Sequence, residues 1–295
     1  MFKLLPGNNS RQYFPTIVQL HSIGCIRLQP EPAVFFSILL VRITMRILTL
    51  NIHKGFSWGN RRFVLHQVRE AIRSCEADIV FLQEVVGENR KHAKKHPAWP
   101  GEAQHEFLAD SVWSSFAYGK NAVYPHGHHG NAILSRFPIL HSEQVDISTN
   151  RLEQRGFLFS SIGIPGSQFP LQCLCIHLGL FAVSRRKQLR MLGDYIGRNV
   201  PPHAPIIVAG DFNDWNGKSV IDFIDSSAMT DAVETIEGRK ARTFPVRMPL
   251  LPLDRIYTSG IRINSSTTYD RGVWKKLSDH AALLIEGEVI HLGEN

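Results

Sequence analysis

Residues 206–214, with the sequence IIVAGDFND, contain the two features that decide the fold class. The uninterrupted apolar run that opens this segment predicts a short strand buried on both faces. Asp211 and Asn213 follow it two residues apart, so both side chains can face one centre while Phe212 points away from it. A buried strand that ends in polar side chains is typical of α/β proteins that build their sites at strand ends.

The same arrangement recurs in three distant parts of the chain. Asn51 closes a β-rich stretch that starts at Met45, Glu84 closes the apolar segment DIVFLQE, and His177 closes a further strand-like segment. A turn or a cap is the simpler explanation for any one of these residues alone. Together with Asp211, they predict a site at one edge of a layered core.

From Met45 onward, strand-like and helix-like segments alternate without a linker, an internal repeat or a low-complexity stretch. Apolar residues from Phe63 to Cys75 recur at helical spacing, and residues 183–199 predict an amphipathic helix. We therefore expect one domain over residues 45–295, with two packed sheets flanked by helices.

Residues 1–44 show no sustained periodicity, and we expect them to form an N-terminal extension outside the fold. The apolar run 33–41 is far shorter than the roughly 20 residues that a membrane-spanning helix needs. Residues 6–9 (PGNN) stand where a secretory signal would have its apolar segment, although a signal or an anchor stays open.

The 295 residues are 43% hydrophobic and 20% charged, as in a soluble globular protein, which excludes a disordered, collagen-like or disulfide-stapled chain. Thirty-three Lys and Arg residues against 26 Asp and Glu residues give a net charge of +7. This surplus suits a phosphate-bearing substrate without requiring one. The four cysteines form no C-x-x-C pair, so we expect a reducing, cytoplasmic location, either free or peripheral to a membrane surface.

The polar residues near the strand ends have a definite chemistry. A carboxylate such as Glu84 can bind a hard cation through oxygen, as Mg²⁺ prefers. Ser278-Asp279-His280 offers an acid and a base at adjacent positions. Asp254 interrupts the apolar segment LDRIY and could orient a histidine.

Seven short motifs occur in an order that resembles the endonuclease/exonuclease/phosphatase superfamily. They are TLNIH around Asn51, LQE at Glu84, GNAILSR at 130–136, IHL at His177, GDFND at 210–214, LDRIY at 253–257 and SDH at 278–280. That superfamily includes DNase I-like nucleases, apurinic endonucleases, sphingomyelinases and inositol-phosphate phosphatases. The resemblance implies an α/β fold of the DNase I-like type, a four-layered sandwich of two packed mixed β-sheets flanked by helices.

The resemblance also implies a Mg²⁺-dependent attack of water on a phosphodiester or phosphomonoester, with Mn²⁺ as a possible substitute. The implied metal residues are Asn51, Glu84 and Asp279, and the implied catalytic residues are His177, Asp211, Asn213, Asp254 and His280. In this scheme Asp211 and Asn213 orient the attacking water. Asp254 holds His280, which acts as general base or phosphate contact. His177 donates to the phosphate or to the leaving group.

Two further residues are expected to bind substrate. Asn131 belongs to the GNAILSR motif, and Arg155 could clamp a phosphate oxygen. A surface arginine paired with Glu153 is the alternative for Arg155. His53 stands where apurinic endonucleases have an acidic residue, which speaks against that branch of the superfamily and leaves a second metal open. For Lys54 beside it, a functional role and a plain surface lysine are equally favoured.

Several other polar clusters have two explanations each. His126, His128 and His129 could form a zinc site, but no cysteine or carboxylate spacing accompanies them, so a solvated loop at the rim of the cleft is favoured. The basic residues Arg185, Arg186, Lys187 and Arg190 could hold nucleic acid or anionic lipid, whereas a solvated helix face is the default.

Trp113 lies at helical spacing and is predicted to be core. Phe56 and Trp58 lie in a loop and could stack on a base or insert at a membrane surface. A lipid or inositol phosphodiesterase would need such an apolar lip, to which residues 249–252 (PLLP) could add.

A nuclease would need a long basic groove, and the net charge of +4 on residues 45–295 (29 basic and 25 acidic) is modest for that. The loops around the motifs are short. We therefore expect weak activity on plain double-stranded DNA and better cleavage of a smaller, single-stranded or lipid-linked phosphodiester. We also expect a monomer without an obligate protein partner. A non-catalytic binding module of the same fold is the least favoured possibility, because the metal and base residues are all present.

Overall fold

The computed structural model describes residues 43–110, 112–151 and 153–290, and all of them fall in one compact unit. The strands in this part of the chain are β1 (Thr44–Asn51), β2 (Ile79–Asn89), β3 (Ser115–Tyr124), β4 (Gly127–Ser135), β5 (Ile139–Asp146), β6 (Gly156–Ile162), β7 (Leu171–His177), β8 (Ile206–Asp211), β9 (Thr230–Asp231), β10 (Asp254–Ser259), β11 (Ile261–Tyr269) and β12 (Ala282–Val289). The α-helices are α1 (Leu65–Ser74), α2 (Arg90–Lys95), α3 (Gln104–Ala109), α4 (Ala182–Asn199), α5 (Ile221–Ser227) and α6 (Ala232–Glu237).

The strands form two mixed sheets of six strands each. Sheet 1 has the order β11-β12-β1-β2-β4-β3, and sheet 2 has the order β5-β6-β7-β8-β10-β9. Only β1 with β2 and β7 with β8 pair in parallel among these neighbours. The loops that leave β7 and β8 therefore emerge at the same end of sheet 2.

Successive side chains along a strand point alternately into the core between the two sheets and into the layer between a sheet and its covering helices. In β1, Ile47 packs into the cluster between the two sheets, and Leu48 packs on the outer face under α1. In β8, Ala209 likewise faces the inner cluster. Asn51 and Asp211 continue these inner series at the strand ends, so they lie at the edge of the core between the sheets.

Helices cover both outer faces. The helices α1 and α3 bury apolar side chains on sheet 1, including Leu65 and Phe107, and α4 buries Leu189 and Leu192 on sheet 2. Helix, sheet, sheet and helix make four layers, which confirms the predicted fold class. Trp113 is 1% exposed and belongs to the core under sheet 1, as predicted.

The sequence patterns missed three strands, β3, β9 and β11, and shortened others, among them β2 and β4. The strands β3 and β11 lie at the two edges of sheet 1, and β9 lies at an edge of sheet 2. The sequence of β11, IRINSSTTY, is mostly polar, and that of β3, SFAYGKNAVY, has no continuous apolar run. The strand β2 continues past the predicted apolar segment to Asn89 and pairs there with β4. His128 and His129 consequently lie in β4, so the prediction of a solvated loop at these positions is wrong.

The first strand begins at Thr44, and Ile43 packs against the inner core. The predicted extension over residues 1–44 lies outside the described residues except for these two positions, and it stays a prediction. Within the described ranges, no helix is both long enough and apolar enough to cross a membrane.

Candidate active site

Three site residues stand side by side in neighbouring strands of sheet 2. His177 at the end of β7 is the Cα partner of Asp211 at the end of β8, and Asp254 at the start of β10 faces Asp211 from the other side. All three side chains are buried. The strand register thus brings together residues that are 34 and 43 positions apart in the chain.

Sheet 1 contributes Asn51 and Glu84. The Asn51 Nδ2 donates to Asp211 Oδ2 over 3.2 Å and lies 3.5 Å from Glu84 Oε1, which links the two sheets. Glu84 lies where the pairing of β2 with β4 shifts register, and its φ is 57°. This bulge carries a left-handed backbone that L-residues seldom adopt, and it turns the carboxylate toward Asn51.

His280 is held by a buried carboxylate. Its Nδ1 lies 2.8 Å from Asp254 Oδ2, and its backbone N–H donates to Ser278 Oγ. The Ser278 hydroxyl in turn donates to the backbone oxygen of Asn51 over 2.6 Å. Burial lowers the pKa of His280, but the charges of Asp254 and Asp211 outweigh burial and raise this pKa to about 10. The ring is therefore an imidazolium at neutral pH.

Asp211 lies between two imidazoles. Its Oδ2 is 3.5 Å from His177 Nε2 and 3.8 Å from His280 Nε2, and its Oδ1 accepts the backbone N–H of Asn213. Burial raises the pKa of Asp211, and the two histidines oppose that effect. Burial also lowers the pKa of His177, to about 4, with the charge of Arg155 as the next cause. His177 is therefore neutral at neutral pH, beside a charged His280.

A tight turn after β1 places two nitrogen groups against two carboxylates. Lys54 Nζ lies 3.1 Å from Glu84 Oε2 without hydrogen-bond geometry, and His53 Nδ1 lies 3.4 Å from Asp279 Oδ1. Burial opposes ionisation of Glu84, but His177 and Lys54 lower its pKa to about 2. Glu84 is thus a carboxylate at neutral pH.

The oxygen donors at this edge fit a hard divalent cation such as Mg²⁺. Glu84 is ionised and half-buried, and its Oε2 has no hydrogen-bond partner among the described residues. Asp279 supplies a second carboxylate near the same turn. The amide oxygen of Asn51 accepts the backbone N–H of His53 with one of its two lone pairs, and its NH₂ group faces the carboxylates, so its role as a metal ligand stays a prediction.

A second group of potential ligand atoms is better explained without a metal. Atoms of Asp211, Asp254 and His280 lie within 4.8 Å of one another. However, Asp254 Oδ2 and His280 Nδ1 are already bonded to each other. We interpret this group as an imidazolium that is hydrogen-bonded to Asp254 and lies beside Asp211, rather than as a cation site.

The two predicted substrate residues are engaged by the protein itself. The Asn131 NH₂ group donates to the backbone oxygens of Gly156 and Cys175, so it joins the two sheets and has no N–H left for a phosphate. Arg155 pairs with Glu153 over 3.1 Å, as in the alternative, and also donates to the backbone oxygen of Leu178. The substrate role of Asn131 therefore needs a rearrangement, whereas Arg155 keeps free N–H groups and its substrate role stays a prediction.

Two further expectations are corrected. Phe56 is 3% exposed and packs against Phe63 and Trp99, so it is not free to stack on a base or to insert into a membrane. Arg185 is 1% exposed and pairs with Asp214 over 3.5 Å, so it does not belong to the exposed basic face of α4.

No sequence pattern pointed to some of the residues that support the site. Thr243 accepts the backbone N–H of Asp254 through its hydroxyl, and its backbone oxygen accepts the N–H of Ala281. The ring of Phe244 lies 4.9 Å from that of His280. These residues lie in no recognisable motif.

The two-sheet sandwich and the cluster at its strand ends define an α/β protein of the DNase I-like class. The chain belongs to the endonuclease/exonuclease/phosphatase family, whose family model matches residues 48–280. The matched range begins in β1 and ends at His280, so it contains every predicted site residue.

Individual relatives are similar over most of the chain. The uncharacterized protein YbhP of Escherichia coli K12 is 45% identical over 251 residues, which cover 85% of this chain and 98% of YbhP. An endonuclease/exonuclease/phosphatase from Beutenbergia cavernae has a TM-score of 0.66 at 19% identity, covering 84% of this chain and 72% of that one. D. rerio TDP2, humanized by 14 mutations, has a TM-score of 0.60 at 19% identity, and the match covers 83% of this chain and 98% of the TDP2 chain. The structural likenesses support the fold.

Proposed function

We propose that this protein is a Mg²⁺-dependent hydrolase that cleaves phosphodiester or phosphomonoester bonds by attack of water. One observation carries the proposal: Asp211 Oδ2 lies within 4 Å of His177, His280 and Asn51, beside the ionised Glu84. A phosphoryl transition state needs charge neutralisation and in-line positioning more than a protein nucleophile. This arrangement offers both.

Each residue has a distinct task in the proposed reaction. His280 is kept protonated by Asp254, so its Nε2–H can donate to a phosphate oxygen. Asp211 and Asn213 orient the attacking water, and burial, by raising the pKa of Asp211, makes this carboxylate a better proton acceptor. His177 is neutral and adjoins Asp211, from where it can donate to the phosphate or to the leaving group.

Glu84 and Asp279 are the residues proposed to hold the cation, and Asn51 keeps Glu84 and Asp211 in place. When bound, Mg²⁺ would neutralise phosphate charge and favour ionisation of water. Mn²⁺ is expected to substitute, because the same oxygen donors suit it.

The substrate is proposed to be a phosphate ester, and a nuclease is one candidate. Its specific support is a cavity of about 470 Å³ next to the turn after β1, lined by Trp58, Arg61, Arg247, Lys275 and Lys276 among others. The Arg61 and Arg247 guanidinium groups lie 5.5 and 5.0 Å from the Trp58 ring. An aromatic ring among cations could stack a base between phosphates.

The test of hydrolysis uses bis-p-nitrophenyl phosphate, which needs no recognition beyond the phosphate. We expect turnover with Mg²⁺ or Mn²⁺, no turnover in EDTA, and a loss of about 10³-fold or more in Glu84→Gln, because the proposed cation loses its ionised ligand. Glu70→Gln removes an exposed acid from α1 and is the control. Turnover in EDTA at the full rate, or equal losses in both variants, would contradict the proposal.

Metal binding can be measured without any reaction. A ligand that binds only the folded chain raises the melting temperature, and the rise grows with the logarithm of the ratio of its concentration to its dissociation constant. We expect Mg²⁺ to raise the melting temperature of the wild type and of Glu70→Gln, and to leave that of Glu84→Gln unchanged.

A further inference from the structure

The loop that leaves β7 exposes an apolar tip beside the site. This tip consists of Leu180, Phe181 and Val183, which are 53%, 67% and 62% exposed. It begins three residues after His177, and Asn213 donates from its side chain to the backbone oxygen of Leu178, at the base of the loop. Adjacent exposed apolar side chains of this size usually mark an interaction surface.

The main chain of the apolar tip is firmly held. Leu180 N donates to Glu153 Oε1 over 2.9 Å, and the buried Arg185 donates to the backbone oxygens of Leu180 and Gly179. Arg185 is itself paired with Asp214. A buried ion pair and an anchored carboxylate thus fix a loop whose apolar side chains point into water. These buried contacts hold the main chain of the loop in one conformation, as a binding surface requires.

Cations follow the apolar tip directly. Arg186, Lys187 and Arg190 lie on the exposed side of α4, and none forms an ion pair with a described residue. No Asp or Glu occurs between residues 180 and 190. An apolar end followed by a basic helix face is typical of segments that lie in the interface of an anionic membrane.

A second segment next to the site repeats this combination. Met248 and Leu250 are 64% and 52% exposed, next to Arg247. This segment adjoins the proposed metal residue, because Val246 N donates to the backbone oxygen of Asp279 over 2.7 Å. Lys275 Nζ lies 3.4 Å from the backbone oxygen of Arg247 and adds a further cation. Residues 247–252 also contain no acid.

We propose that these two flanks form one docking surface for an anionic phospholipid membrane, with the site held between them against the lipid. Nucleic acid would satisfy the cations, but it gives no reason to expose Leu180, Val183 and Met248. A second copy of the chain would cover the apolar residues, but it would bring like charges together. An anionic lipid surface complements both. If the chain is the hydrolase proposed above, the substrate is then a phosphate ester with an apolar part.

The test is sedimentation of the full chain with lipid vesicles in EDTA, so that no turnover is involved. We expect binding to vesicles of phosphatidylglycerol mixed with phosphatidylcholine, weak binding to phosphatidylcholine alone, and release by high salt. Replacing Leu180 and Phe181 by serine should weaken binding by about tenfold or more. Leu140→Ser is the control, since Leu140 is 61% exposed at the opposite end of sheet 2.

A second pair of variants isolates the charges. Arg186→Gln should weaken binding to anionic vesicles, whereas Arg198→Gln, at the far end of the same helix, should not. Circular dichroism melts check that each variant folds, and Phe181→Ser alone replaces the double variant if the latter does not melt cooperatively.

Three results would overturn the docking surface. The first is no binding to anionic vesicles, and the second is equal weakening by Leu140→Ser and the tip variant. The third is a tip variant that keeps vesicle binding but alters the oligomeric state or the affinity for a single-stranded oligonucleotide. Turnover of bis-p-nitrophenyl phosphate by the wild type decides the hydrolase proposal separately, because vesicle binding is measured without metal.

Discussion

Asp254→Asn removes the charge that holds His280 while keeping the size of the side chain. The pKa of His280 stands at about 10 against an ordinary 6.5, which corresponds to about 5 kcal/mol in favour of the imidazolium. Asp254 is the largest of the charges that raise it, at 2.8 Å, and Asp211 is the next, at 3.8 Å. Losing the largest of these charges should therefore lower the pKa of His280 toward its ordinary value in the variant.

The assay is an NMR titration of the His280 ring in EDTA, with Asp194→Asn on the exposed side of α4 as the control. The interaction of protonated His280 with the two carboxylates stabilises the folded state. This contribution is complete below pH 6.5 and is lost as the pH rises through the raised pKa of His280, about 10. Asp254→Asn should therefore also reduce the loss of stability between these pH values. If His280 donates to phosphate as an imidazolium, the alkaline limb of the kcat/KM profile should move to lower pH in Asp254→Asn, because the ring loses its proton earlier.

The reasoning fails if the pKa of His280 is the same in the wild type and in Asp254→Asn. It also fails if the losses of kcat/KM in His280→Ala and Asp254→Asn multiply in the double variant. Two residues that act as one unit should give a double variant scarcely worse than His280→Ala.

Three other predictions concern stability. Arg185→Met leaves Asp214 as an uncompensated buried charge and should lower the free energy of unfolding by about 3–5 kcal/mol in urea; an unchanged midpoint would show that the pair contributes little. Burial, helped by the charge of Lys54, lowers the pKa of His129 to about 4. The contribution of neutral His129 to the free energy of unfolding is therefore complete above pH 6.5 and is lost as the pH falls toward 4. In EDTA, His129→Gln should reduce that acid-side loss by about 1–2 kcal/mol, and an identical pH profile would contradict this. A chain shortened to begin at Met45 should still melt cooperatively; failure to do so would mean that the preceding residues pack on the core.

The sequence determined the layers of this protein because local patterns carry that information. The continuous apolar run before Asp211 predicted a strand that is covered on both faces, and the structure has such a strand there. The helical spacing of apolar residues from Phe63 to Cys75 predicted a helix with one buried face, and α1 lies in this segment. The edge strands β3 and β11 of sheet 1 were not predicted, because neither contains a continuous apolar run. The motif residues at the strand ends were likewise visible, because a polar residue that closes a buried strand interrupts the pattern.

Only the tertiary structure decided what each of these residues can do. The register of β7, β8 and β10 sets His177, Asp211 and Asp254 side by side, and no local pattern encodes a register between distant strands. The left-handed backbone at Glu84 turns its carboxylate toward Asn51, where strand alternation alone gives no such direction.

The contacts of individual polar groups also depend on the fold. The sequence did not indicate that Asn131 and Arg155 donate to main-chain oxygens of other segments. Arg185 looked like one more exposed cation, yet it is buried against Asp214. The charge state of His280 follows from two carboxylates that come from other strands. Hydrogen bonds and electrostatic interactions act over a few ångströms in space, so they are decided when distant parts of the chain pack together.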